Sequence, residues 1–179
     1  MKIGIDISQL AYQRTGVANY LQGLIEKLIE EDKTNQYILF FSGLRGQMPV
    51  LKATNAPNVI VKRFKFSPTM LDFMWNRLHI LPIEQLIGKV DIFITSDWTE
   101  PPVTHAKKMT ILYDLVIYKY PEETASNIIA VQKRKLRWVK KESSKILCIS
   151  DSTKQDAKKN FKGYRNFNFL DNSFVVPFV

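Results

Sequence analysis

The first thirty residues, Met1–Glu30, read MKIGIDISQLAYQRTGVANYLQGLIEKLIE. Met1–Ile7 is short, apolar and rich in isoleucine, which predicts a buried strand. After a loop that ends at Thr15-Gly16, apolar residues recur at helical spacing from Val17 to Leu28. A strand, a glycine-containing loop and a helix in this order are typical of the first unit of a Rossmann-type fold.

Gly16 stands where the first helix is predicted to begin. We expect it to let the backbone come close to a neighbouring segment, and the free N–H groups of the helix to be able to hold a phosphate. The alternative is that Gly16 only makes a tight turn. The chain lacks both G-x-G-x-x-G and the P-loop motif G-x-x-x-x-G-K-[ST], so neither of those nucleotide sites is predicted.

Further apolar runs alternate with helical patterns along the rest of the chain. Five more strands are predicted at Tyr37–Phe41, Val59–Phe64, Val90–Thr95, Met109–Tyr113 and Lys145–Ile149. Helices are predicted after Pro68 as far as Leu78, and at Ile83–Ile87, Glu123–Lys141 and Thr153–Phe161, with Gly88 as a helix stop and Lys119–Glu122 as a turn. The alternation predicts an α/β fold, a Rossmann-like three-layer α/β/α sandwich with a mainly parallel sheet.

We expect one domain over residues 1–161 and a divergent tail over residues 162–179, in which only Phe174–Val176 is strand-like. The 179 residues suffice for a sizeable core. No apolar run approaches the length of a membrane span, and the first residues lack a secretory signal pattern. The single cysteine, Cys148, excludes an internal disulfide and suits the cytosol, so we expect a cytoplasmic protein.

The formal net charge of +9 indicates which partners the protein can attract, and it carries no information about the fold. We predict no nucleic-acid binding, because neither an aromatic-basic pattern of the RNP type nor a helix-turn-helix signal is present. His79 and His105 lack acidic or cysteine residues at ligand spacing, so no metal site is predicted.

Ligands of open α/β sheets bind beyond the carboxyl ends of the strands. That rule selects these candidate residues: Thr15, Gly16, Asp97, Trp98, Tyr113, Asp114, Ser150, Ser152 and Lys154. Each has a plainer interpretation. Asp97 and Asp114 can be turn residues, Trp98 can be packing at a rim, and the serines can be helix-start residues.

The predicted helix after Pro121 carries the densest positive charge. Its cations follow a stripe made of Lys133, Arg134, Arg137, Lys140 and Lys141. A solvated helix face is one interpretation. The other is attraction to anionic lipid head groups, which would place the protein at the inner face of the cell membrane.

Four stretches together resemble the N-terminal half of a family 4 retaining glycosyltransferase of the GT-B fold. They are IGIDISQLAYQRTGVANY at Ile3–Tyr20, VDIFITSDWTEPP at Val90–Pro102, TILYDLVIYKYPE at Thr110–Glu122 and ILCISDSTKQD at Ile146–Asp156. The resemblance implies two Rossmann-like domains that face a cleft. The N-terminal domain would bind an acceptor glycan or lipid, and a C-terminal domain or separate subunit would bind the nucleotide-sugar donor.

The same resemblance implies roles for the candidate residues. The loop with Thr15 and Gly16 would approach the donor diphosphate or the acceptor. Asp114 would occupy the His-Asp-Leu motif of the family at the cleft, and Ser150–Lys154 would match its V-S-x-S-T-K stretch. The basic helix would be comparable to surfaces that some relatives place on membranes. Neither a cofactor nor a metal is implied.

Three departures from the family pattern bear on chemistry. Tyr113 replaces the histidine before the aspartate, and a phenol transfers protons near pH 7 less readily than imidazole does. Ser96-Asp97-Trp98 stands where the family often has His-x-Pro. The acidic donor motif and its domain are absent from the 179 residues. We therefore expect an acceptor-side domain with little or no transferase activity alone, whether a fragment, a truncated product or half of a split enzyme. The alternative is a non-catalytic domain that binds a glycan, a partner transferase or an anionic membrane.

Overall fold

The computed structural model describes residues 1–44 and 48–161, together with the backbone of Asn168 and Phe169. Its strands are β1 (Lys2–Asp6), β2 (Gln36–Ser42), β3 (Val59–Phe64), β4 (Ile92–Thr95), β5 (Lys107–Leu112), β6 (Ser143–Cys148) and β7 (Asn168–Phe169). The helices are α1 (Gly16–Glu31), α2 (Pro68–Leu71), α3 (Glu84–Ile87), α4 (Val116–Lys119), α5 (Ser126–Glu142) and α6 (Asp151–Asn160). Short 3-10 turns occupy Ser8–Ala11, Lys52–Asn55 and Pro121–Glu123.

The described strands form one sheet in the order β3-β2-β1-β4-β5-β6-β7, and every neighbouring pair is parallel. The first six strands follow the order 3-2-1-4-5-6 of Rossmann-type folds. The predicted α/β fold with a parallel sheet is therefore confirmed. The predicted strand Phe174–Val176 and most of the predicted tail lie outside the described residues.

The sheet divides the core into two layers, because successive side chains of a strand point to opposite faces. On one face, Ile3, Ile5 and Leu39 pack with the apolar side of α1. On the other face, the alternate residues of β2 and β4 contact α3 and the segment after Pro68, while those of β5 and β6 contact α5 and α6. Gly4 faces this second layer, which leaves no room for a side chain, because a Cβ there would lie 2.7 Å from the Phe93 ring.

The segment after Pro68 differs from its prediction. Only Pro68–Leu71 is α-helical, and Asp72–Arg77 continues as a π-helix. The Leu78 N–H donates to the carbonyl of Phe73, five residues back, at 3.0 Å. The chain then leaves the helix through two non-glycine residues in the left-handed region, His79 (φ 53°) and Leu81 (φ 64°). Gly88 ends α3 with φ 88°, as the sequence predicts.

Two smaller differences concern the connection from β5 to α5. The predicted turn at Lys119–Glu122 is partly helical, because α4 ends at Lys119 and a 3-10 turn follows Pro121. Helix α5 begins at Ser126 rather than Glu123, since Glu123 ends the 3-10 turn and Thr124 has an extended backbone.

Candidate functional site

The carboxyl ends of the parallel strands lie at one edge of the sheet. Strand order reverses between β1 and β4, which makes the space beyond Asp6 and Thr95 the topological switch point of the fold. Ligands of such folds bind at this place. Two cavities open at this edge, and Trp98 lines both of them.

The first cavity, here called the switch-point pocket, has a volume of about 290 Å³. It is lined by aromatic rings, hydroxyl groups and one carboxyl group, contributed by Asp6, Ser8, Tyr12, Ser42, Ser67 and Trp98 among others. Asp6 is 4% exposed, and its Oδ1 accepts a hydrogen bond from the Ser8 N–H at 2.9 Å. Burial raises the pKa of the Asp6 carboxyl, although Ser8 and the nearby Lys135 act in the opposite direction.

The second cavity, here called the Asp97 pocket, has a volume of about 260 Å³. Its polar lining comes from Asp97, Asp114, Gln132 and Lys135. Gln132 Nε2 donates to the Asp97 carbonyl at 3.2 Å and lies 3.4 Å from its Oδ1. Burial raises the pKa of Asp97, while Lys135 opposes this shift. Trp98 is half-buried and belongs to both cavities, so it presents apolar ring surface between two sets of polar groups.

Lys135 is a site residue that the sequence analysis missed. It is 1% exposed, and its Nζ donates to the carbonyl of Ser96 directly after β4. Burial lowers the pKa of this ammonium group, whereas Glu100, Asp97 and Asp6 act to raise it. The signal was available, because Lys135 lies four residues before the buried Val139 and therefore on the inward side of α5.

A network of buried polar side chains holds the loop that follows β4 and carries Trp98. Glu100 is fully buried and accepts a hydrogen bond from Thr95 Oγ1 at 2.7 Å. Its other carboxylate oxygen lies 3.4 Å from Lys108 Nζ, which also lies 2.7 Å from Glu142. The Glu100 N–H donates to Asn76 Oδ1 at 3.0 Å. These contacts fix the loop after β4 and hence the position of Trp98, and the sequence analysis assigned no role to Glu100 or Lys108.

Tyr113, predicted as a catalytic residue, is buried, although it contributes to the lining of the Asp97 pocket. It is 5% exposed, and its hydroxyl group lies 3.3 Å from Ser96 Oγ. Burial raises its pKa far above the usual 10, so the phenol stays neutral at physiological pH. Asp114, the other predicted catalytic residue, is exposed, and its Oδ1 accepts from the Val116 N–H at 3.1 Å. This hydrogen bond is the turn role that the sequence analysis gave as the plainer interpretation of Asp114. Asp114 also borders the Asp97 pocket.

Thr15 and Gly16 begin α1. Thr15 Oγ1 accepts from the Ala18 N–H at 3.2 Å and so caps the helix. Gly16 is exposed, and a Cβ there would meet no described atom within 4 Å. The expectation that Gly16 brings the backbone close to a neighbouring segment is therefore wrong for the described part of the chain. Gly16 does not have a positive φ, so its backbone conformation does not require a glycine either.

Ser150 is the N-cap of α6, with its Oγ accepting from the Thr153 N–H at 3.1 Å. Thr153 Oγ1 donates to the Tyr113 carbonyl at 2.9 Å, and the Tyr113 ring makes a perpendicular contact with Tyr20 of α1 at 5.8 Å. The start of α6, the end of β5 and α1 are thus joined at one edge of the sheet. Ser152 is exposed and Lys154 is half-buried.

The five cations of the predicted stripe on α5 do not share one surface. Lys133, Arg137 and Lys141 are exposed. Arg134 instead forms an ion pair with Asp72, and Lys140 is half-buried over the rings of Tyr118 and Phe161.

No protein-family model and no curated protein matches this chain. The resemblance to family 4 glycosyltransferases stays a prediction. None of the helices within residues 1–44 and 48–161 is both long and apolar enough to cross a bilayer. In the same residues, no three histidine, cysteine or acidic side chains are grouped as metal ligands would be.

Proposed function

We propose that this chain is the acceptor-side domain of a nucleotide-sugar-dependent glycosyltransferase. The observation that carries the proposal is the pair of cavities that share Trp98 at the carboxyl edge of an all-parallel sheet. The order and spacing of the four family-like stretches support it independently. Acceptor binding is the part of the reaction that these residues can perform.

The lining of both cavities suits a sugar. An aromatic ring offers an apolar face to the C–H groups of a pyranose, while carboxyl, hydroxyl and amide groups around it pair with sugar hydroxyls. Trp98 supplies the face, and Asp6 and Asp97 supply the carboxyl groups. Cavities of about 290 and 260 Å³ lie just below the usual range for small-molecule sites, which begins at about 300 Å³.

In the reaction that we propose, an acceptor hydroxyl oxygen bonds to the anomeric carbon of the donor, the bond from that carbon to the diphosphate breaks, and the hydroxyl proton passes to the departing phosphate oxygen. Preorganised electrostatics would stabilise the departing phosphate. Asp114 is the candidate in this domain for accepting a hydrogen bond from the acceptor hydroxyl. Tyr113 would act only by positioning the strand end, because its phenol is buried and neutral.

The buried Tyr113 also favours a second candidate, a non-catalytic glycan-binding domain. Burial leaves this side chain 5% exposed and raises the pKa of its phenol, which makes Tyr113 a poor group for transferring a proton to or from a bound sugar at neutral pH. Such a domain would use the same two cavities without taking part in transfer.

Both candidates can be tested by NMR titration of the ¹⁵N-labelled chain with a panel of mono- and disaccharides, and separately with nucleotide-sugars. Both predict saturable shifts around Trp98, at least a tenfold loss of affinity in Trp98→Ala, and no loss in Tyr120→Ala, an exposed aromatic outside both cavities. The transferase proposal further predicts weak shifts of the Gly16 and Asp114 amides at high nucleotide-sugar concentration, because this domain would approach the donor diphosphate although most of the donor site would belong to a second domain or subunit. Saccharide binding without those shifts would favour the non-catalytic domain, and no saccharide binding would contradict both.

A further inference from the structure

A third cavity lies against Trp98, between the segment that begins at Pro68 and helix α5. Its volume is about 320 Å³, which is within the usual range for small-molecule sites. Two arginines line it, Arg77 of the π-helix and Arg134 of α5. Among the described residues, Asp72 is the only carboxylate in the lining. This space is here called the arginine cavity.

The two arginines supply more hydrogen-bond donors than Asp72 uses. Arg134 binds both carboxylate oxygens, with its Nη2 2.6 Å from Oδ2 and its Nε 3.3 Å from Oδ1. Asn76 Nδ2 adds a hydrogen bond to Oδ1 at 2.9 Å. Arg77 contributes charge alone, since its Nε lies 3.5 Å from Oδ2 and its side chain is 54% exposed. Within residues 1–44 and 48–161 the Arg77 guanidinium donates no hydrogen bond, so its donors are available to a ligand.

A buried asparagine fixes the arginines relative to Trp98. Asn76 is 0% exposed, and the Nδ2 that donates to Asp72 also donates to the Trp98 carbonyl at 3.0 Å. The arginine cavity shares both Trp98 and Pro68 with the switch-point pocket. A ligand that lies on Trp98 in the switch-point pocket can therefore extend a neighbouring group to the arginines, whose position is set before the ligand arrives.

The charge of the arginine cavity distinguishes between anions. Two guanidinium groups and one carboxylate leave a net charge of +1 in its lining. A ligand carboxylate balances this charge, whereas a phosphate monoester carries about two negative charges at neutral pH. The planar guanidinium of Arg77 also presents paired N–H groups that match the two oxygens of a carboxylate.

We propose that the arginine cavity binds the carboxylate of an acidic saccharide, a uronic acid unit whose pyranose ring lies on Trp98. Arg77 would donate to the carboxylate, and Arg134, held by Asp72, would supply the second positive charge. The inference rests on the proposed function, because it names the class of saccharide that the same edge of the sheet would take.

The test is NMR titration of the ¹⁵N-labelled chain with the methyl glycosides of glucuronic and galacturonic acid, each compared with methyl glucoside or methyl galactoside. The members of each pair differ only at C6, where a carboxylate replaces a hydroxymethyl group. We expect at least one uronide to bind about tenfold more tightly than its neutral parent, because a hydrogen bond to a charged group is strong. The same uronide should shift the Nε–Hε signals of Arg77 and Arg134.

The variant Arg77→Gln should lose that preference and keep the affinity for the neutral glycoside. Arg77→Lys should keep part of it, since lysine retains the charge without the planar donor geometry. The matched control is Arg137→Gln, at an exposed arginine of α5 that lines none of the three cavities, and it should keep the full preference. Circular dichroism should show that all three variants are folded, because both arginines are exposed.

Equal affinity for the uronides and their neutral parents, with shifts around Trp98 for both, would overturn this inference and leave the proposed function standing. Tighter binding of glucose 6-phosphate than of either uronide would overturn it in favour of a phosphate-bearing ligand. An equal loss of preference in Arg137→Gln would overturn it in favour of general charge attraction. Absence of binding by every glycoside would overturn both the inference and the proposed function.

Discussion

Arg134 Nη2 of helix α5 lies 2.6 Å from Asp72 Oδ2 of the π-helix, and its Nε lies 3.3 Å from Oδ1. Two parallel hydrogen bonds of this kind give charge-assisted, directional pairing. Burial alone would raise the pKa of Asp72, but Arg134 and Asn76 outweigh it and lower the pKa. The pair therefore fastens the π-helix Asp72–Arg77 to α5.

Replacement of Arg134 by methionine should reduce the free energy of unfolding by about 2 kcal/mol, because it leaves a mostly buried carboxylate with weaker partners. Lys133→Met, at the exposed neighbouring residue, should change it by less than about 0.5 kcal/mol. Arg134→Lys should lie between the two, since it keeps the charge and loses the paired geometry. Urea denaturation followed by circular dichroism measures all three, and equal stability of the two methionine variants would show that the ion pair contributes nothing.

Glu142 should make stability depend on pH in the acid range. Burial acts to raise its pKa, but hydrogen bonds from His79 and Lys108 outweigh this and lower the pKa from 4.5 to about 2. A lowered pKa in the folded state stabilises the protein above about pH 4.5, and this contribution disappears as the pH falls toward 2. Glu142→Gln should therefore be less stable by about 2 kcal/mol at pH 6, discounted for partial exposure, with a difference that shrinks toward pH 2.

The control for this pH series is Glu122→Gln, an acid-to-amide change at an exposed position. Its difference from the wild type should be small at every pH. Urea titrations at half-unit intervals from pH 2 to 7 give the comparison. A Glu142→Gln difference that stays constant with pH would mean that the variant removes packing rather than a paired charge.

Replacing Gly16 and replacing Gly4 by alanine should change the stability of the protein in opposite directions. A Cβ at Gly16 meets no described atom within 4 Å, so Gly16→Ala should raise stability by about 0.5 kcal/mol through a less flexible unfolded chain. A Cβ at Gly4 would lie 2.7 Å from Phe93 and 2.9 Å from Ile87, and Gly4→Ala should cost about 2 kcal/mol. Thermal unfolding measures both. If Gly16→Ala also abolishes the nucleotide-sugar shifts described above, its open surroundings serve a ligand rather than the fold.

Cys148 should be unreactive in the native protein. Its side chain is fully buried, and burial raises the pKa of the thiol to about 12. At pH 8 the native thiol should react with Ellman's reagent roughly a thousandfold more slowly than an ordinary cysteine, and at the normal rate in urea. A Ser152→Cys variant supplies an exposed reference thiol near the same strand end. Fast labelling of native Cys148 would indicate that β6 opens locally.

Much of the fold could be predicted because its signals are local. The six longer strands are apolar runs, and Gly88 marks a helix end that needs positive φ. The position of Asp97 and Asp114 beyond two neighbouring strands followed from the parallel sheet alone. Glu100 could not be assigned in this way, because its burial depends on partners elsewhere in the chain, such as Thr110. The inward position of Lys135 on α5 had a local signal, but its partner, the Ser96 carbonyl, had none. The π-helix also has no local signal, since it depends on where Asp72 and Asn76 find their partners.

The central position of β1 has a consequence for synthesis on the ribosome. β1 pairs with β2 on one side and with β4 on the other. The pairing of Ile3 with Ile92 therefore cannot form until Ile92 has been translated. During that interval the nascent chain carries an unpaired, apolar strand edge that can recruit other chains. Mutations that slow elongation between Gly43 and Asp91 should therefore increase aggregation in cells without altering the stability of the finished protein.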